Sequence, residues 1–314
     1  MFRSLSIDRA GVLLCLLAGA TFALQPVLVR LAFDGGAGVA SVGTFRFALA
    51  AVVLALLARR ALMRTPLAVL VPPFVLGLTL YGLETGLFFA SLERIEVSLA
   101  SLLMCGYPAL VVAGAVLLRR EQASRRRVAA LAVALAGVAL VLAGGVGGAL
   151  DPLGIALALS AAGAYAAYVL VSDRLLGTTP PLVLATMLCA GAAVAFGLGG
   201  AATGSLQAPG AATLGLLVAI ALVATVLPIA AFLGGVRRIG PSRATILGTV
   251  EPPVTIGLSA LVFAERLGPV QLLGAGLVVS AVVILQLRRR PNLRPVPLPA
   301  SRPVPLPNAE PLAA

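Results

Sequence analysis

Long apolar runs alternate with short polar or glycine- and proline-rich breaks along almost the whole chain. Each run is near the roughly 20 residues that an α-helix needs to cross a bilayer. They predict helices over 10–33, 38–58, 67–92, 97–118, 128–146, 152–172, 180–202, 211–236, 241–263 and 269–287. The breaks carry the usual punctuation: Asp34-Gly35-Gly36, Arg64-Thr65-Pro66, Gly144-Gly145, Asp151-Pro152, Gly177 to Pro181, Gly204 to Gly210 and Gly240-Pro241. A shift of 144 positions lays Ala18-Gly19-Ala20 on Ala162-Gly163-Ala164 and Arg30 on Arg174. The same shift lays Arg94-Ile95 on Arg238-Ile239, Ser98 on Ser242, Pro108 on Pro252 and Glu121 on Glu265. Five crossings per copy would turn the second copy upside down, the internal symmetry of many membrane carriers. The expected fold class is therefore an all-α integral membrane protein of ten transmembrane helices in two inverted five-helix repeats. Its units are 1–148, 149–288 and a disordered proline-rich tail, 289–314.

Composition removes the soluble alternative. The chain is 60% hydrophobic and 11% charged, with a mean hydropathy of +1.09, too little polar surface for a 314-residue water-soluble protein. The net charge of +12 comes from 23 basic residues, all of them Arg. With the N-terminus in the cytoplasm, nineteen of these arginines fall on inner segments or the tail and three, Arg30, Arg94 and Arg266, on outer ones. That bias sets both termini in the cytoplasm of a multi-pass plasma-membrane protein. The basic excess then reads as topology and attraction to the lipid bilayer, and nucleic acid is not an expected partner.

The first helix has the start of a signal peptide, with Arg3, Arg9 and a possible cleavage site at Ala20-Thr21-Phe22-Ala23. It runs on to Phe33 and matches helix 6, so it is expected to be retained. Cys15, Cys105 and Cys189 lie in apolar helices without metal-ligand spacing and read as small fillers, so no metal and no cofactor is expected. The tail repeats Arg-Pro-Val-Pro-Leu-Pro at 294–299 and 302–307, a polyproline-prone segment that reads as a solvated end or a docking arm.

Three ionisable residues stand well inside helices: Arg46, Glu84 and Glu251. A charge at that depth costs at least about 2.5–3.5 kcal/mol, so such groups face a cavity or a partner. Glu251 precedes Pro252-Pro253, and each proline removes a ladder donor and loosens the helix. Thr245, Gly248, Pro252, Thr255 and Ser259 form a small, polar stripe at steps of three and four. The repeat partner of Glu251-Pro252 is Tyr107-Pro108, where the kink recurs with a phenol in place of a carboxylate. Glu251 reads as a midplane ligand for a cation, a substrate amine or a proton, or else as a paired carboxyl holding helices together. On helix 3, Gly77, Tyr81, Glu84 and Phe88 share a face; Glu84 is either a site residue or hydrogen-bonded to a neighbouring helix. Arg46 reads as a buried counter-ion to Glu251 or Glu84 or a donor to backbone carbonyls, or else as a clamp for an anionic substrate group. Gln25, Tyr165 and Tyr168 complete the candidate substrate-binding set with Glu251, Tyr107, Glu84 and Tyr81. Pro108, Pro228, Pro252, Gly77 and Gly248 are expected to give the helices flexibility.

The chain resembles the drug/metabolite transporter superfamily, EamA type. The resemblance rests on Arg46 in helix 2 and on Pro108 followed by Glu121 at the end of helix 4. It rests further on Glu251-Pro252, Phe263-Ala264-Glu265-Arg266-Leu267 and Gln271-Leu272-Leu273-Gly274, and it spans about residues 10–287. Two features depart from it: Arg119-Arg120-Glu121-Gln122 where a Gly-Glu-Arg-Leu type end is usual, and Thr21-Phe22 where a Trp is frequent. The resemblance implies the EamA fold and a secondary carrier for a small molecule, an amino-acid-like or other small amphiphilic or zwitterionic metabolite, working outward by alternating access. Helices 1, 3, 4, 6, 8 and 9 would line the cavity, with 5 and 10 outside. Glu251 or Glu84 would carry the proton if transport is proton-coupled; uncoupled exchange stays open, as does the oligomeric state, for which a monomer suffices. An enzyme is not expected, since the chain has no His and no clustered Asp. A lipid-handling or non-transporting partner protein is the other reading.

Overall fold

The computed structural model describes residues 2–118, 125–144 and 151–286, which are almost wholly helical and contain no strand. In chain order the helices are α1 (Phe2–Asp34), α2 (Val39–Leu62), α3 (Leu67–Leu92), α4 (Val97–Leu117), α5 (Arg125–Ala143), α6 (Pro152–Leu175), α7 (Pro181–Thr203), α8 (211–239), α9 (241–263) and α10 (Pro269–Gln286). Among the described residues, α1 to α4 and α6 to α8 are long and apolar enough to cross a membrane; α5, the second part of α9 and α10 hold shorter apolar stretches. Glu121, Arg119, Arg120, the 148/149 boundary and the proline-rich tail lie outside the described residues.

Four helices are interrupted, two of them at the expected proline kinks. α4 breaks at Cys105-Gly106, just before Tyr107-Pro108, and α9 at Thr249-Val250, just before Glu251-Pro252-Pro253. A proline has no N–H to give to the preceding turn, so the ladder fails where the sequence places it. α3 and α8 instead widen into π-turns, Gly77–Tyr81 and Leu222–Val226. In α8 the turn is followed by Pro228, and the Thr225 hydroxyl donates to the Ile220 carbonyl at 2.8 Å. Both kinds of interruption recur 144–145 positions apart.

α2 packs along α7 and α5 along α10, while α1 lies on α8 and α3 on α6. Shifting by one repeat exchanges the last two pairings and maps the first two on themselves. Lipid tails are as apolar as leucine, so these contacts depend on close packing rather than on escape from water. Gly77 and Gly191 show it: a Cβ on Gly77 would stand 2.2 Å from the Leu188 carbonyl oxygen, and one on Gly191 would stand 2.1 Å from that of Phe74. Gly77 is therefore a packing glycine between α3 and α7, at the start of the α3 π-turn. Leu13, Leu56, Leu83, Leu261 and Leu273 lie exposed on the outside, where they suit lipid.

One end of the bundle is closed. Phe88, Phe89, Leu92, Leu102, Leu103, Leu217 and Ile220 form its largest buried cluster. Beside it Glu265, just past α9, accepts hydrogen bonds from the backbone N–H groups of Val97 and Ser98, each 2.9 Å, and from the Ser98 hydroxyl. This carboxylate satisfies the bare N-terminus of α4 from the other copy. The preceding residue, Ala264, takes a left-handed turn at φ 56°. Asp151 caps α6 through the N–H groups of Leu153 and Gly154 and pairs with Arg94 at 3.0 Å. The hydrogen bond from Arg94, helped by those two N–H groups, holds the Asp151 carboxyl below its ordinary value. Arg30 ties α1 to the end of α3 through the Leu92 carbonyl at 2.6 Å.

Candidate functional site

The interrupted stretches of α3, α4, α8 and α9 surround a central cavity of about 480 Å³. Gln25, Tyr81, Glu84, Tyr107, Tyr165, Tyr168 and Glu251 all line it, with Arg46, Pro108, Pro252 and Gly248. Pro228 and Gly77 do not. The wall is wider than the resemblance implied. α2 contributes Arg46, α7 adds Pro181, Leu184, Leu188 and Cys189, and α10 adds Val278, Val279 and Val282. α10 was expected outside; its valines supply apolar wall and no ionisable group. Phe22 lines the cavity, whereas Thr21 is turned to its own helix, donating to the Leu17 and Ala18 carbonyls at 2.7 and 3.1 Å.

Arg46 is buried and committed to neutral partners. Its Nε donates to Thr225 Oγ1 at 3.0 Å and its Nη2 to Gln25 Oε1 at 2.9 Å. Its guanidinium carbon lies 4.6 Å from the ring centre of Phe47 and 5.6 Å from that of Phe89, the arrangement of a cation–π contact. No direct ion pair joins it to Glu84 or Glu251; its hydrogen bonds bridge α1, α2 and α8, while Glu84 stays within range of its charge. The reason is reach: the α8 π-turn presents Thr225 to the guanidinium, and Gln25 fills the other side. The Thr225 hydroxyl spends its proton on Ile220, which leaves its lone pairs for Arg46.

The two carboxylates differ in setting. Glu84 is buried and accepts from its neighbour Thr85 through Oε2 at 2.9 Å. Glu251 is exposed to the cavity, and its carboxylate has no hydrogen bond or ion pair among the described residues. In the polar stripe of α9, Gly248, Pro252 and Thr255 line the cavity, while Ser259 is buried away from it and the Thr245 side chain lies outside the described residues.

All four tyrosines of the chain stand in one row along the wall. Ring centres are 5.1 Å apart from Tyr81 to Tyr168, 5.4 Å from Tyr168 to Tyr165 and 4.5 Å from Tyr165 to Tyr107. The sequence places them on three helices, with Tyr165 and Tyr168 one turn apart on α6, and gives no sign that Tyr81 and Tyr107 extend that pair into a row. Thr225, Thr85 and Ser101 were also missed. For Thr225 a signal existed, since the repeat pairs it with Tyr81.

A helical bundle with an apolar outer surface and a cavity among broken helices defines a multi-pass membrane protein. The sequence pattern of the EamA-like transporter family matches the chain twice, over residues 9–143 and 152–287, and the chain belongs to that family. The uncharacterized transporter YcbK of Bacillus subtilis (strain 168) is 29% identical over 222 residues, covering 68% of this chain and 71% of that protein. A crystal structure of another protein matches with a TM-score of 0.62 at 19% identity, over 88% of this chain and 98% of that one, a likeness of fold.

Proposed function

We propose that this chain is a secondary carrier that moves a small amphiphilic metabolite outward across the plasma membrane. It does so as ten crossings in two inverted repeats, 1–148 and 149–288, with both termini in the cytoplasm. The observation that carries the reading is Glu251: a carboxylate without a partner, set at a helix break and open to a cavity of about 480 Å³. A carboxylate kept this deep without a charge partner is costly, and binding is the function that would repay it. The matched interruptions in α3, α8, α4 and α9 support alternating access, because each copy has its weak points at corresponding positions. The distribution of arginines supports the orientation. In that orientation the closed end, with Glu265 and Asp151, faces outward.

The test is efflux from proteoliposomes preloaded with mixed amino acids and small amines, followed by mass spectrometry. Wild-type protein should release one class of compound faster than empty liposomes, and Glu251→Gln should slow that release while melting at an unchanged temperature. If folded wild-type protein releases nothing above background, the carrier reading fails and lipid handling takes its place.

A further inference from the structure

The cavity sorts charge. Its wall holds two carboxylates, Glu84 and Glu251, and one cation, Arg46. Two of the three guanidinium nitrogens of Arg46 are bound to Thr225 and Gln25; the third, Nη1, is buried without an acceptor and shut off from the open space. The chain has no lysine and no histidine to take its place. A carboxylate or phosphate entering this cavity finds no free donor on Arg46 to replace its water and meets two carboxylates against that one positive charge.

A cation is met differently. The row of tyrosines offers ring faces and edges at steps of 4.5–5.4 Å, and aromatic faces attract ammonium groups, most strongly where water is excluded. The row ends at Tyr107, which occupies in α4 the repeat position that Glu251 occupies in α9. A carboxylate unpaired among the described residues thus lines the same cavity as the row of rings.

Resting on the carrier reading above, we infer that this site selects an organic cation, a small amine or quaternary ammonium, seated on the tyrosine rings with Glu251 as its counter-charge. Zwitterions and anions of the same shape are discriminated against because Arg46 has no free donor facing the cavity and the two carboxylates outnumber its charge. The aromatic row also favours an amphiphilic skeleton over a compact one such as ammonium itself.

Three molecules of nearly one skeleton test it: phenethylamine, phenylalanine and phenylpropionate. Binding to the purified full chain is read by thermal shift in detergent, and movement by uptake into proteoliposomes. Phenethylamine should bind at least about tenfold tighter than phenylalanine, the scale of one charge-assisted contact, and phenylpropionate should not bind. Glu251→Gln should lower phenethylamine affinity about tenfold or more. Should that variant fail to fold, Tyr165 supplies the second reading. Tyr165→Leu should weaken phenethylamine by about 2- to 30-fold, and Tyr165→Phe, which keeps the ring, by less.

A preference for phenylalanine or phenylpropionate overturns the assignment and leaves the carrier standing. Phenethylamine bound but never moved keeps the assignment and overturns the carrier. No binding of any of the three by well-folded protein overturns the assignment.

Discussion

At residue 107, α4 sets a phenol beside its proline; at residue 251, α9 sets a carboxylate beside its own. Both helices break two residues earlier and both positions line the cavity. The neighbouring pair repeats the contrast: α3 and α8 share a π-turn, yet Tyr81 and Glu84 on α3 align with Thr225 and Pro228 on α8. The backbone interruptions are kept in both copies while the side chains on them diverge. Duplication explains a scaffold with two matched sets of weak points. It does not explain the site, which is a set of differences between copies: acid against phenol, tyrosine against the threonine that holds Arg46.

If the scaffold is common and the chemistry is not, the two should fail separately. The largest effect is expected on the scaffold, at Gly77→Val. A Cβ there meets the Leu188 carbonyl oxygen at 2.2 Å, and backbone cannot move aside as a side chain does. The cost should be about 3 kcal/mol or more, seen as little folded protein on size-exclusion chromatography. Gly248→Ala is the control, because no atom lies within 4 Å of its added carbon. Equal losses at both positions would refute the close-packing role of Gly77. The aligned position in α8 is Ala221, so this constraint belongs to the first copy alone.

The next effect is on the chemistry. Glu251→Gln should cut transport about 10- to 100-fold, the loss of one contact to a charged group, with its melting temperature close to wild type. Tyr107→Phe keeps the ring and removes only a hydroxyl, so it should shift substrate affinity by about tenfold or less. If the two variants prove equal in flux, the copies are chemically interchangeable at this position, and the site does not depend on their difference.

How much of this could be read from the chain follows from where the signal lies. Apolar runs of bilayer length mark helices because lipid demands them, and proline marks breaks because a missing N–H is local; both were legible at Pro108 and Pro252. The π-turns were not, since Gly77–Tyr81 and Leu222–Val226 have the same apolar pattern as plain helix. Arg46 was found as a buried charge, but its partners were misjudged: an unneutralised arginine suggests a carboxylate, and Gln25 with Thr225 is a neutral solution that only packing reveals. α7 hid its share of the wall because Leu184, Leu188 and Cys189 are ordinary membrane-helix residues. Of the row of tyrosines only the Tyr165–Tyr168 step lies within one helix; the steps to Tyr81 and Tyr107 are tertiary facts that no sequence spacing contains.

The smallest expected effect separates the copies at their ends rather than at their centres. Asp151 caps α6 and pairs with Arg94, whereas a shift of 144 puts Ile7 at the matching position. Because the folded state holds the Asp151 carboxyl below its ordinary value, the stability it adds is present above about pH 4. It is lost as pH falls through the lowered folded value. Asp151→Asn should therefore melt below wild type at pH 6, with the two curves converging as the pH approaches 3. Both partners are largely in water, so the gap at pH 6 should be modest and should shrink in high salt. A gap that is the same at pH 3 and pH 6 would mean that Asp151 works as a neutral cap, and that the charge on it does nothing to fasten the copies together.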